Sequence, residues 1–154
     1  MRGAILLVVC SVLALAPALA GAQLDTTPGA SATARQASGI LPSLRGHMAE
    51  LGTLMNRLFR HVGDPERTSE LIGVTREMEA LLSAAGDFEP TVALIEPDQE
   101  RRAEIMSGFR SCLQRARGVV AELRQALVSG GGDEQKDRLL RLDQVRRDCH
   151  AAFG

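Results

Sequence analysis

Residues 98–132 read DQERRAEIMSGFRSCLQRARGVVAELRQALVSGGG, and the spacing of their apolar side chains decides the fold class. Ile105, Phe109, Cys112, Ala116, Val119, Leu123 and Leu127 recur at steps of three and four, the period of one face of an α-helix. Asp98 stands where an N-cap belongs, and Gly130, Gly131 and Gly132 stand where a helix stops. On the N-terminal side, residues 87–97, with Pro90 and Pro97, read as a crossover loop. Before that loop, Asp64 and Pro65 supply an N-cap and a first-turn proline for a helix carrying Leu71, Val74, Met78, Leu81 and Leu82, closed by Gly86. Further upstream, Leu44, Met48, Leu51, Met55, Leu58 and Val62 make another stripe at helical spacing. Beyond the glycines, Asp133 is expected to cap a last helix with Leu139, Leu142, Val145, Cys149 and Phe153 facing inward. No segment alternates with period two, so the expectation is an all-α fold.

The 154 residues are 45% apolar and 24% charged, enough for one ordinary domain. Eighteen Lys and Arg nearly balance nineteen Asp and Glu, for a formal charge of −1, and there is no Trp or Tyr and only four Phe. A nucleic-acid partner is therefore not expected: neither a basic field nor a set of stacking rings is present. Arg2, the apolar run 4–15, Pro17 and the small residues up to Ala22 have the form of a secretory signal peptide over 1–22. Cys10 raises a lipoprotein signal as an alternative, against which stands the bulky Val9 before it. The run is short for a membrane span, so no stable membrane insertion is expected after cleavage, and the location is read as periplasmic. Residues 23–39 are small and polar and read as a flexible leader. The domain proper is then 40–154, with Cys112 and Cys149 in a compartment that permits a disulfide.

Four amphipathic helices joined by turns and one longer loop bury their stripes best as an antiparallel up-down-up-down four-helix bundle. That topology brings the start of the first helix, the start of the third and the end of the fourth to one end. Met48, Phe109 and the pair Cys149 and His150 fall near it. A thioether and an imidazole facing each other are an axial ligand set for haem iron, so Met48 and His150 are the candidate metal ligands. The apolar lining is expected from Leu44, Leu51, Ile105, Phe109 and Leu142. Residues 146–150, RRDCH, form the second half of a C-x-x-C-H haem-attachment pattern with Arg146 in place of the first cysteine, so one thioether, at Cys149, is conceivable and two are not.

From about Leu44 to Phe153 the chain resembles the cytochrome b562 family, with a related likeness to cytochrome c′. The matching runs are LRGHM at 44–48, SGF at 107–109 and VRRDCHAAF at 145–153. The resemblance implies Met48 and His150 as axial ligands, Phe109 as a haem-packing ring, Arg146 on a family arginine and Phe153 on a terminal aromatic. It departs at Cys149, absent from ordinary b-type members, and at the missing first cysteine of the c-type pattern. The implied protein is an exported electron carrier, not an enzyme. It would hold one haem, b-type or attached through Cys149, and would work with redox partner proteins. The residues set no oligomeric state.

Each of these residues also has a plainer use. Met48 continues a core stripe, and His150 suits the negative end of a helix. His47 and His61 are read as ordinary polar residues. Phe109 and Phe153 fill a core as readily as they line a cofactor, and Arg138, Arg141, Arg146 and Arg147 mingle with Asp137, Asp143 and Asp148 on a solvated face. The competing architecture is a haem-free periplasmic interaction or chaperone-like bundle, with or without a Cys112–Cys149 disulfide. Counted from Asp98, Cys112 lies roughly 21 Å up its helix, while Cys149 lies roughly 8 Å from the chain end. Bridged cysteines need Cα atoms within about 7 Å, so the pair is expected to stay open unless the helices are offset by about two turns.

Overall fold

The computed structural model describes residues 43–154, and the expected signal peptide at 1–22 and leader at 23–39 lie outside them. The described chain is all-α: α1 (Leu44–His61), α2 (Thr68–Ala85), the single turn α3 (Thr91–Leu94), α4 (Gln99–Ser129) and α5 (Gly132–Phe153), with a 3-10 turn at Pro65–Arg67. No strand occurs among the described residues.

The ends follow local chemistry. Ser43 caps α1, its Oγ accepting from Gly46 N at 3.1 Å, and Arg60 and His61 in the last turn complement the helix dipole. Asp98 caps α4, its carboxylate accepting from Arg101 N at 2.8 Å, and Gly130 closes it at φ +80°, the left-handed conformation that glycine adopts at no steric cost. Three local expectations are corrected. Asp64 and Pro65 start the 3-10 turn, and α2 begins only at Thr68. Gly131, not Asp133, is the N-cap of α5, and Asp133 sits in the first turn, where its charge still favours the dipole. The stretch 87–97 is not all loop: α3 forms behind Pro90, and Ala93 is fully buried.

The stripes become the core. Leu58, Leu71, Leu123, Leu127 and Leu139 are among the largest fully buried side chains, each stabilising the fold by about 1.5–3 kcal/mol relative to exposure. α1 packs on α2, α2 on α4 and α4 on α5, with α3 against α4. No comparably extensive contact joins α1 to α5. Where the α1–α2 turn meets the start of α5, Gly63 N donates to Gln135 Oε1 at 3.2 Å, and Gln135 Nε2 donates to the Ala126 carbonyl at 3.4 Å. Away from those turns, Arg110 Nε donates to the Gly86 carbonyl at 3.4 Å, Arg102 pairs with Glu89, and the rings of His47 and Phe88 lie 5.2 Å apart. No helix among the described residues is long and apolar enough to cross a membrane.

Burial fades along α5. Gln135, Leu139 and Leu142 are buried, whereas Val145, Cys149 and Phe153, three members of the same expected stripe, are only half-buried. Along the last eleven residues of α5, Arg146, Cys149, His150 and Phe153 line a cavity, while Cys149 and Phe153 still touch α4.

Candidate functional site

That cavity measures about 1000 Å³ and is lined from both α1 and α5, which share no extensive contact. The volume lies at the upper end of the roughly 300–1,000 Å³ typical of small-molecule and cofactor sites. α1 contributes Leu44, Met48, Leu51 and Met55; α2 contributes Met78 and Leu82; α4 contributes Phe109, Leu113 and Ala116. α5 contributes Leu142, Arg146, Cys149, His150 and Phe153. All five candidate residues from the sequence, Met48, Phe109, Arg146, Cys149 and His150, therefore line one space. Ile105, expected in the lining, is not there; Met55, Met78, Leu82, Leu113 and Ala116 supply apolar surface that the sequence reading did not assign.

The two candidate ligands occupy different settings. Met48 is half-buried on α1 and packs against the core. His150 is exposed at the rim, one turn from the end of α5. The terminal Gly154 folds back on it, Gly154 N donating to the His150 carbonyl at 3.0 Å, and a Cβ at position 154 would stand 3.0 Å from His150 Nδ1. Nε2 is thus the ring nitrogen farther from the chain end. His47, one residue from Met48, has a structural use: its Nδ1 lies 2.8 Å from the Ser43 carbonyl, and its ring packs on Phe88.

Phe109 and Phe153 meet edge to face, with centroids 5.8 Å apart and an interplanar angle of 71°. Gly108 makes room for this pair, since a Cβ there would come within 3.0 Å of Phe153 Cζ. Within SGF at 107–109, the glycine is thus a packing residue that the sequence reading passed over. At the rim Arg146 is oriented by Asp143, with Nε to Oδ1 at 2.9 Å, and Arg147 pairs with the same carboxylate. Exposed Arg45, one turn before Met48, puts a second guanidinium on the lining, while Asp87 and Glu89 contribute carboxylates.

Cys112 and Cys149 form a disulfide with Cα atoms 5.9 Å apart, which corrects the expectation that the pair stays open. The error lay in counting from far ends. In a helical hairpin the register runs from the shared turn: Cys112 lies seventeen residues before Ser129, the last residue of α4, and Cys149 lies seventeen after Gly132, the first of α5. α4 overhangs by nine residues at its start, and that overhang supplies the missing offset. The glycine run at 130–132 carried this signal. A sulfur in a disulfide has no thiol to form a thioether, so the cysteine considered for covalent haem attachment is otherwise engaged in this state. Arg115 Nη2 donates to Cys112 Sγ at 3.3 Å.

Among the described residues no group of three or more His, Cys, Asp or Glu could hold a metal ion. A thioether on α1 and an imidazole on α5 are instead the two-donor set that suits a metal whose other ligands come with a flat macrocycle. The apolar depth of the cavity and the guanidiniums at its rim suit such a group, an apolar plate carrying carboxylates. No family model, curated protein or solved structure matches the chain.

Proposed function

We propose that the protein is an exported one-electron carrier holding a single, non-covalently bound haem between Met48 and His150, in an up-down-up-down four-helix bundle. The observation that carries this reading is the joint placement of Met48, Phe109, Arg146 and His150 on one largely apolar cavity of about 1000 Å³. The proposed topology is supported by Gln135 joining the two tight turns at one end and by Arg110 meeting Gly86 at the other.

When bound, the group would supply an Fe(III)/Fe(II) couple for outer-sphere electron transfer. Each residue then has a physical task. Met48 would offer a soft thioether that favours the lower oxidation state, and His150 would offer an imidazole nitrogen. Phe109, Phe153 and Leu142 exclude water, which disfavours the extra positive charge of the oxidised form. Arg146, fixed by Asp143, presents a cation at the rim where carboxylates would emerge. With Met48 and His150 both holding the group, no place would remain on it for a substrate, which supports a carrier over an enzyme.

The disulfide favours a second reading, a haem-free periplasmic interaction module whose cavity takes another apolar group. Titrating the folded, disulfide-bonded protein with haemin separates the two. The first reading expects a sharp low-spin spectrum at one equivalent, complete extraction by acid-acetone, and a five-coordinate, carbon-monoxide-binding iron in Met48→Ala. A folded protein that gives no such spectrum supports the second, and an unchanged low-spin spectrum in Met48→Ala removes Met48 from the site.

A further inference from the structure

The last eleven residues of α5 carry both Arg146 and His150, yet none of them is fully buried. Between Leu142 and the chain end, this segment is tied to the rest of the described residues by the disulfide to Cys112, the edge contact of Phe153 on Phe109 and the partial packing of Val145 among others. The strongest is covalent, and both of its residues line the cavity, so a small reagent in that space reaches it. Cys149 is half-buried while Cys112 is only 2% exposed, which makes Cys149 the more accessible sulfur. The guanidinium of Arg115, 3.3 Å from Cys112 Sγ, stabilises a thiolate there and makes Cys112 the better leaving group.

We propose that Cys112–Cys149 is a reducible clamp, a site of thiol–disulfide exchange with dithiols that sets the position of the His150-bearing half of α5 and so controls retention of the cavity's ligand. A dithiol thiolate attacks Cys149 Sγ, the protein S–S bond breaks, and Cys112 leaves as a thiolate beside Arg115. The second thiol then loses its proton to solvent and attacks the mixed disulfide. Cys149 is released as a thiolate that takes up a proton, and the reagent departs as a cyclic disulfide. Two electrons have passed to the protein. With the covalent tie gone, the α5 end samples detached positions, and ligand affinity falls in proportion to the fraction of time it is away.

The ligand part of this inference rests on the haem reading, and the clamp itself does not. Two measurements keep them apart. Hydrogen exchange of the haem-free protein, with and without dithiothreitol, should show at least about tenfold faster exchange over residues 143–153 on reduction while α1 and α2 are unchanged; equal exchange in both states overturns the clamp whether or not haem binds. Haemin titration of Cys112→Ser/Cys149→Ser, which avoids a reductant acting on iron, should give affinity at least about tenfold weaker than the disulfide-bonded protein. Unchanged affinity alongside faster exchange overturns the control of retention, and failure of both proteins to bind haemin counts against the haem reading alone. Arg115→Gln should be reduced by dithiothreitol several-fold more slowly with unaltered exchange before reduction, and an unaltered rate overturns the assignment of Cys112 as leaving sulfur.

Discussion

Gly108→Ala tests the aromatic wall of the cavity because two known effects oppose each other there. Alanine in a helix interior stabilises by about 0.5–1 kcal/mol relative to glycine. Gly118, ten residues on in the same helix, has nothing within 4 Å of a built Cβ, so Gly118→Ala should show that gain undiminished. At Gly108 the new methyl would meet Phe153 Cζ at 3.0 Å and Cε1 at 3.5 Å. On one side the Phe153 ring is backed by Phe109, with centroids 5.8 Å apart, which limits how far it yields. Forcing a methyl into such a contact costs about 1–3 kcal/mol, which outweighs the helical gain. The two substitutions should therefore differ by about 1–3 kcal/mol, with Gly118→Ala the more stable, a gap of roughly 3–4 °C in Tm for each kcal/mol. Thermal and urea unfolding of both variants measures it. In a Phe153→Ala background the Gly108→Ala penalty should vanish and the helical gain return, as a double-mutant cycle reports for residues in contact. If Gly108→Ala stabilises as much as Gly118→Ala, Phe153 does not lie over α4, and the wall beside His150 is wrongly drawn.

Gln135→Leu keeps the volume but strands the Gly63 N–H and loses the bond to Ala126; urea unfolding should show a loss of about 1–3 kcal/mol. Leu123→Ala empties a fully buried position and should cost about 2–5 kcal/mol without altering haemin stoichiometry, which unfolding and titration together check. The Arg67 guanidinium, donating to Glu70 at 2.8 Å, holds the Glu70 carboxyl below the usual carboxylate range. Its small stabilising effect is complete above the ordinary glutamate value and is lost as pH falls through the lowered folded value. Glu70→Gln should flatten that acid-side slope, and 1 M salt should erase the difference between variant and parent because both groups are exposed.

The helices were legible because their signals are local. Leu71, Val74, Met78, Leu81 and Leu82 are all buried as their spacing required, and Asp98 and Gly130 bound α4 where capping chemistry places them. α3 escaped notice because a single turn between two prolines has no periodicity to read, and what makes it hold is burial of Ala93. In the candidate site, Met48, Phe109, Arg146, Cys149 and His150 were legible as chemistry-bearing residues near one end. Ile105 was misplaced, although it continues the α4 stripe, because a stripe marks which side of a helix is apolar and not which part of that side meets a cavity.

Sequence by itself determined the all-helical class, the stripes and most of the caps, since each depends on residues three or four apart along one helix. Tertiary structure decided what depends on one helix against another: the overhang of α4 that closes Cys112 on Cys149, the join made by Gln135, and the space between α1 and α5. Register accumulates from turn geometry and unequal helix lengths, and a cavity is a place where packing fails to occur. The periodicity of a single segment records neither.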